Sequence, residues 1–149
     1  MPKLKPVYTP CLLSLEELSQ YKHLIPRTPT VESWWLGTPG IGNGRVCVVS
    51  YCGDADRYGI PPDRTFVGVR PALHISNPDK LHSPGDTIKE GKYEWTVLDA
   101  NKKHCLALCT KIIAVKPFDK ASNNYEESDI KIYLEGLIFE KSKRGKANA

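Results

Sequence analysis

A chain of 149 residues and 16.7 kDa can bury one substantial hydrophobic core but not two independent ones. Its 40% hydrophobic and 26% charged residues are ordinary for a globular protein, which excludes a disordered or collagenous chain. The most apolar run, residues 106–115, is broken by Lys111, so no membrane span is expected. Residues 1–10 carry three prolines and two lysines with no apolar stretch, so no signal peptide is expected either. Formal net charge is +4, but four of the 21 basic residues fall in residues 141–149, leaving 17 against 17 elsewhere. The body is therefore neutral, followed by a flexible basic tail that offers nucleic acid a few phosphate contacts.

Residues 6–13 read as an extended segment with Pro10 marking an edge or entry. Ser14 and Glu17 have capping-box spacing, opening a helix of about twelve residues that Pro26 stops. After a turn-rich connection, residues 33–36 form a short bulky strand, and residues 37–44 a Gly/Pro loop. Residues 45–51 read as a buried strand, residues 53–64 as another loop, and residues 65–70 as a strand. Pro71 then argues that residues 73–75 can continue only as an edge. Asn77-Pro78 and Ser83-Pro84-Gly85 mark a linker. Beyond it, residues 87–88, 92–98 and 105–115 form a meander. Ser128 caps a last helix over residues 129–139, with Ile130, Tyr133, Leu134, Leu137 and Ile138 on one stripe. The expected class is α+β: twisted antiparallel sheets with two flanking helices. Residues 1–140 are read as one domain, whose halves 1–76 and 85–140 share a core across linker 77–84.

No catalytic constellation stands out. Gly37–Gly44 lacks the lysine and following helix of a phosphate loop. Asp54 and Asp56 open like a calcium loop, but the later carboxylates are missing. The five cysteines form no C-x-x-C pair, and with no export signal they are expected to be free thiols in a cytoplasmic protein. Cys105 and Cys109 would point to one face of a strand as small hydrophobes. His23, His74, His82 and His104 fall on a helix, an edge, a linker and a strand start. Cys47 or Cys52 with His74 is the one conceivable nucleophile–base pair, without an identifiable orienting group. Neither a cofactor nor a metal is expected.

Trp34, Trp35 and Arg70 carry more information. Neighbouring strand residues face opposite ways, so one indole packs in a core while the other lies under a loop or lines a surface groove. An exposed indole beside an arginine would make a recognition platform. Arg70, between Val69 and Pro71, is suited to holding loop carbonyls or a carboxylate through its planar fork.

Ser33-Trp34-Trp35-Leu36-Gly37-Thr38-Pro39-Gly40 and Gly68-Val69-Arg70-Pro71-Ala72-Leu73 resemble the W-W-L-R-S-P-G and G-V-R-P-A-L signatures of an uncharacterised domain family common in gut Firmicutes and their phages. Residues 11–17 are similar to its F-L-L-S-x-E-E helix start. Residues 85–99 look like its opening meander, and residues 124–134 like its N-x-Y-E-x-S-D-I-R-x-W-L helix. The arginine of W-W-L-R is Gly37 here. The family order also places the meander and helix before the tryptophan signature, whereas here they follow it. The chain reads as a circular permutation, or as the end of one unit joined to the start of the next. Permutation implies that Pro6 and Phe139 lie close together. The resemblance extends to the C-type-lectin and formylglycine-generating-enzyme fold group, which implies a lectin-like frame and nothing about chemistry.

These readings lead to a non-catalytic recognition module that binds a protein or other macromolecule through loops 37–44 and 53–64. Its candidate ligand contacts are Trp34, Trp35, Asn43, Arg45, Asp54, Asp56, Arg57, Tyr58, Arg64 and Arg70. A phage or mobile-element inhibitor of a host defence protein or nucleic-acid enzyme is the alternative, and a cysteine-dependent enzyme the third.

Overall fold

The computed structural model describes residues 4–28 and 32–137. The basic segment 141–149 and Phe139, with the contact expected between Phe139 and Pro6, lie outside the described residues. The described chain is α+β, with ten strands in two five-stranded sheets and two α-helices.

The first sheet runs β1 (Val7–Cys11), β6 (Ala72–Ser76), β9 (His104–Cys109), β8 (Tyr93–Ala100), β7 (Thr87–Glu90), antiparallel throughout. The second runs β10 (Ala114–Val115), β5 (Gly68–Val69), β2 (Trp34–Pro39), β3 (Val46–Val49), β4 (Ala55–Ile60). Its one departure from antiparallel pairing is β2 beside β5, in register at Trp34 and Gly68. Residues before and after the connection 77–84 contribute strands to both sheets.

Helix α1 (Leu15–Tyr21) starts on a full capping box: Glu17 N donates to Ser14 Oγ at 3.1 Å, and Ser14 N to Glu17 Oε1 at 2.9 Å. Thr38 Oγ1 accepts from Leu15 N at 2.9 Å, satisfying another first-turn donor and tying the helix to β2. A 3-10 turn, Lys22–Leu24, finishes the helix ahead of Pro26. Helix α2 (Asp129–Glu135) starts with Ser128 Oγ accepting from Lys131 N at 3.2 Å.

Period-two alternation sorts the side chains into three cores. Trp34, Leu36, Cys47 and Val49 on the second sheet meet Ala72, Leu106 and Leu108 on the first, with Leu18 of α1. Trp35, Val46, Val48 and Val69 point the other way and pack with Phe118 and with Ile130 and Leu134 of α2. The far side of the first sheet gathers Leu73, Ile75, Trp95, Val97, Cys105, Ala107 and Cys109. Central strands are thus covered on both faces, which is why β3 reads as a continuous apolar run.

Five expectations are corrected. Strand β6 is not an edge: it is flanked by β1 and β9. Pro71 stands just before its first residue, where the missing N–H removes no ladder bond, and its carbonyl still accepts from Cys109 N at 2.8 Å. The supposed loop 53–64 contains β4, and the supposed loop 37–44 begins with the last half of β2. Residues 55–60 are polar because β4 is an edge strand facing water on much of its length. The single strand expected over residues 105–115 is two, β9 and β10, in different sheets. The strand expected over residues 65–70 shrinks to Gly68–Val69.

Candidate functional site

The candidate contact residues do not gather in one place. Trp35 is fully buried against Phe118, ring centroids 5.6 Å apart, with Nε1 donating to the Lys116 carbonyl at 2.9 Å. Trp34 is 3% exposed. The exposed indole expected from the strand argument is therefore absent, because both faces of β2 are core. Arg45 stacks over Tyr58 at 4.9 Å and donates from Nη1 to the Gly59 carbonyl at 3.0 Å. Asp56 Oδ1 accepts from Gly59 N at 3.1 Å. Asn43, Arg57 and Tyr58 are exposed at that end of the β3–β4 hairpin, and Arg64 is exposed in the connection after it. Asp54, at the opposite end, pairs with Lys22 at 3.2 Å. Among the described residues, no group of three or more histidine, cysteine or carboxylate side chains is placed to hold a metal.

Trp34 and Arg70 do come together. The Arg70 guanidinium lies over the Trp34 ring at 5.0 Å. Its Nε donates to the Cys109 carbonyl at 2.7 Å, and Nη2 to Pro26 at 2.9 Å and Thr110 at 3.5 Å. The connection after α1, the end of β9 and the end of β5 are thus pinned by one planar fork. Arg70 is 1% exposed, and burial lowers its pKa to about 10, so it stays cationic at neutral pH.

These two side chains line a cleft of about 230 Å³ between the end of α1 and the turn joining β3 to β4. Leu18, Ile25 and Val49 supply apolar wall, Lys22 and Arg27 stand at its rim, and Tyr51 and Cys52 close the other side. Arg27 Nη2 reaches the Cys52 carbonyl at 3.1 Å, joining the two lips. The sequence reading missed Lys22, Ile25, Arg27 and Tyr51. Two cations flanking the Pro26 stop were visible, but nothing local told which strand turn they would face. A larger hollow of about 400 Å³ lies along β7; its lining mixes Asp79, Asp86 and Glu90 with Lys80, His82 and Lys89, so it favours neither sign of charge.

Four of the thiols, Cys11, Cys47, Cys105 and Cys109, are not activated nucleophiles. Burial pushes Cys11 up to about 12 and Cys105 to about 11, and raises Cys47 and Cys109, the opposite of what a thiolate needs. Cys47 Sγ faces the carbonyls of Pro39 and Arg57 at 3.6 and 3.7 Å, not a histidine. His74 instead meets His104, Nδ1 to Nε2 at 2.8 Å, with Glu17 Oε2 4.0 Å from its other nitrogen. That pair is diagonal across β6 and β9, a contact that sequence spacing does not reveal. Cys52 is the exposed thiol.

No family model matches the chain, and neither a curated relative nor a solved structure does.

Proposed function

We propose that the chain is a non-catalytic recognition module that binds a protein partner at the end of the β3–β4 hairpin facing α1. The observation that carries this reading is the cleft: Trp34 and Arg70 in its wall, and Tyr51, 63% exposed, on its rim. Aromatic and arginine side chains around a small pocket are the residue types that dominate protein contacts. Burial raises the Cys47 thiol, and its Sγ faces two carbonyls, which speaks against Cys47 as the nucleophile of the cysteine-enzyme alternative. The lectin-like frame and the resemblance to the gut-Firmicute and phage domain belong to the same proposal, since such frames present variable loops for recognition.

Cys52 sits on the lip of the cleft and is exposed, so it can carry a photo-crosslinker. The control places the same group at Lys89→Cys on β7, in a Cys52→Ser background. The expected result is one discrete protein adduct from Cys52, absent from the Lys89→Cys control and suppressed by Tyr51→Glu. The same adducts from both positions, or none from Cys52, would overturn the reading.

A further inference from the structure

Arg70 is a buried cation. Among the described residues no carboxylate lies within ion-pair distance of it. Its hydrogen bonds leave from Nε and Nη2 only, and Nη1 has no acceptor among the described residues. A buried guanidinium is costly to hold unless its donors and charge are both answered. Three carbonyls and the Trp34 face answer part of that cost, and the remaining edge belongs to a side chain lining the cleft.

The rim repeats the sign. Lys22 and Arg27 line the same cleft, and among the described residues no aspartate or glutamate does. Asp54 stands just outside, paired with Lys22, leaving an excess of positive charge. Leu18, Ile25, Val49 and Trp34 give the wall an apolar side, beside the polar Thr28, Ser50 and Tyr51, and the space holds roughly eight waters' volume. A ligand answering all of this has a compact apolar body and one carboxylate.

We infer that the Trp34–Arg70 cleft is a binding site for a carboxylate carried on a small apolar or aromatic body, the carboxylate meeting Arg70 and the body lying between Trp34, Ile25 and Val49. The inference rests on the recognition reading for the location of the site, and names the ligand chemistry. That chemistry has two sources: a free organic acid, or the C-terminal carboxylate of a partner chain ending in a large apolar residue.

The test is an NMR titration of the intact protein with 3-phenylpropanoate, its neutral primary amide, and an acetylated tetrapeptide ending in phenylalanine as free acid or amide. Backbone amides of Ile25 and Gly53 report the site. The acids are expected to bind about tenfold or more tightly than the amides. Because Arg70→Lys can fail to fold, the charge-reversed rim Lys22→Glu/Arg27→Glu, both exposed, is the second variant. It is expected to weaken acid binding about tenfold while leaving the fold intact. Binding by the peptide acid identifies a chain terminus. Binding by phenylpropanoate alone supports the carboxylate site and counts against a protein partner. Equal affinity for acid and amide, or no shift at Ile25 and Gly53 at about 10 mM ligand, overturns the carboxylate site; in the first case crosslinking from Cys52 still reports on partner binding.

Discussion

Glu17 serves two structures with one carboxylate. Oε1 closes the α1 capping box, and Oε2 faces His74 Nε2 at 4.0 Å. On its other side His74 shares a 2.8 Å contact with His104, which needs one protonated and one bare nitrogen. A second proton at the contact itself would leave two donors facing each other. Burial lowers the His74 pKa below its ordinary 6.5, with Glu17 pulling upward and His104 downward. The unfolded chain thus takes up this proton at a higher pH than the folded one. Stability from the pair is complete above about pH 6.5 and declines as pH falls through that value toward the folded pKa. The melting temperature should drop between about pH 7 and 5, and His74→Gln should flatten that slope. Identical slopes for the two proteins would contradict the assignment. Neither histidine carried a sequence signal for this, because strand pairing, not spacing, brings them together.

At the scale of elements, the β3–β4 hairpin shows why a strand was read as a loop. Residues 55–60 are Ala-Asp-Arg-Tyr-Gly-Ile, polar because the strand is an edge, and interrupted by Gly59. That glycine has φ +91°, and a Cβ there would lie 2.8 Å from the Val46 carbonyl oxygen. At Gly40 the same atom would come within 2.3 Å of the Tyr58 carbonyl oxygen. Loop 40–42 bonds back onto the strand, Ile41 N to Arg57 O and Gly42 N to Tyr58 O, both at 2.9 Å. The glycines that suggested an open loop are what allow the backbones to approach. Gly59→Ala should cost on the order of 2–3 kcal/mol by urea denaturation. Gly44→Ala, with positive φ but open space around it, should cost about 1 kcal/mol. The reverse order would mean the close approach at Gly59 is not constraining. By contrast, Ser14, Glu17 and Ser128 announced both helix starts, since capping is chemistry between residues three apart.

At the scale of the molecule, the two stretches either side of residues 77–84 are interleaved. β1 and β6 pair into a sheet completed by β7, β8 and β9, while β10 crosses to the sheet of β2–β5. The core around Trp34 holds Leu13 and Val49 from one stretch and Leu98, Leu106 and Leu108 from the other. Removing either stretch exposes the inner face of the remaining sheet and at least one indole, each worth about 5 kcal/mol of burial at ~25 cal/mol per Å². Proteolytic cleavage within residues 77–84, followed by separation, should give two fragments with no cooperative thermal unfolding. Mixing them should restore a dispersed amide NMR spectrum. A fragment that unfolds cooperatively alone would show that the stretches are independent units.

The sequence alone determined what short-range chemistry governs: both helix starts, the Pro26 stop, the shared face of Cys105 and Cys109, and the α+β class. Tertiary structure decided everything that depends on which surfaces meet. It buried both indoles, because the second sheet is covered on two sides, and made β6 a central strand despite the proline before it. It also set an arginine from β5's end against the carbonyls of Pro26, Cys109 and Thr110 beside a small cationic cleft. Capping and alternation are written within a few residues, whereas a cleft between the end of a helix and a strand turn exists only once distant segments have packed.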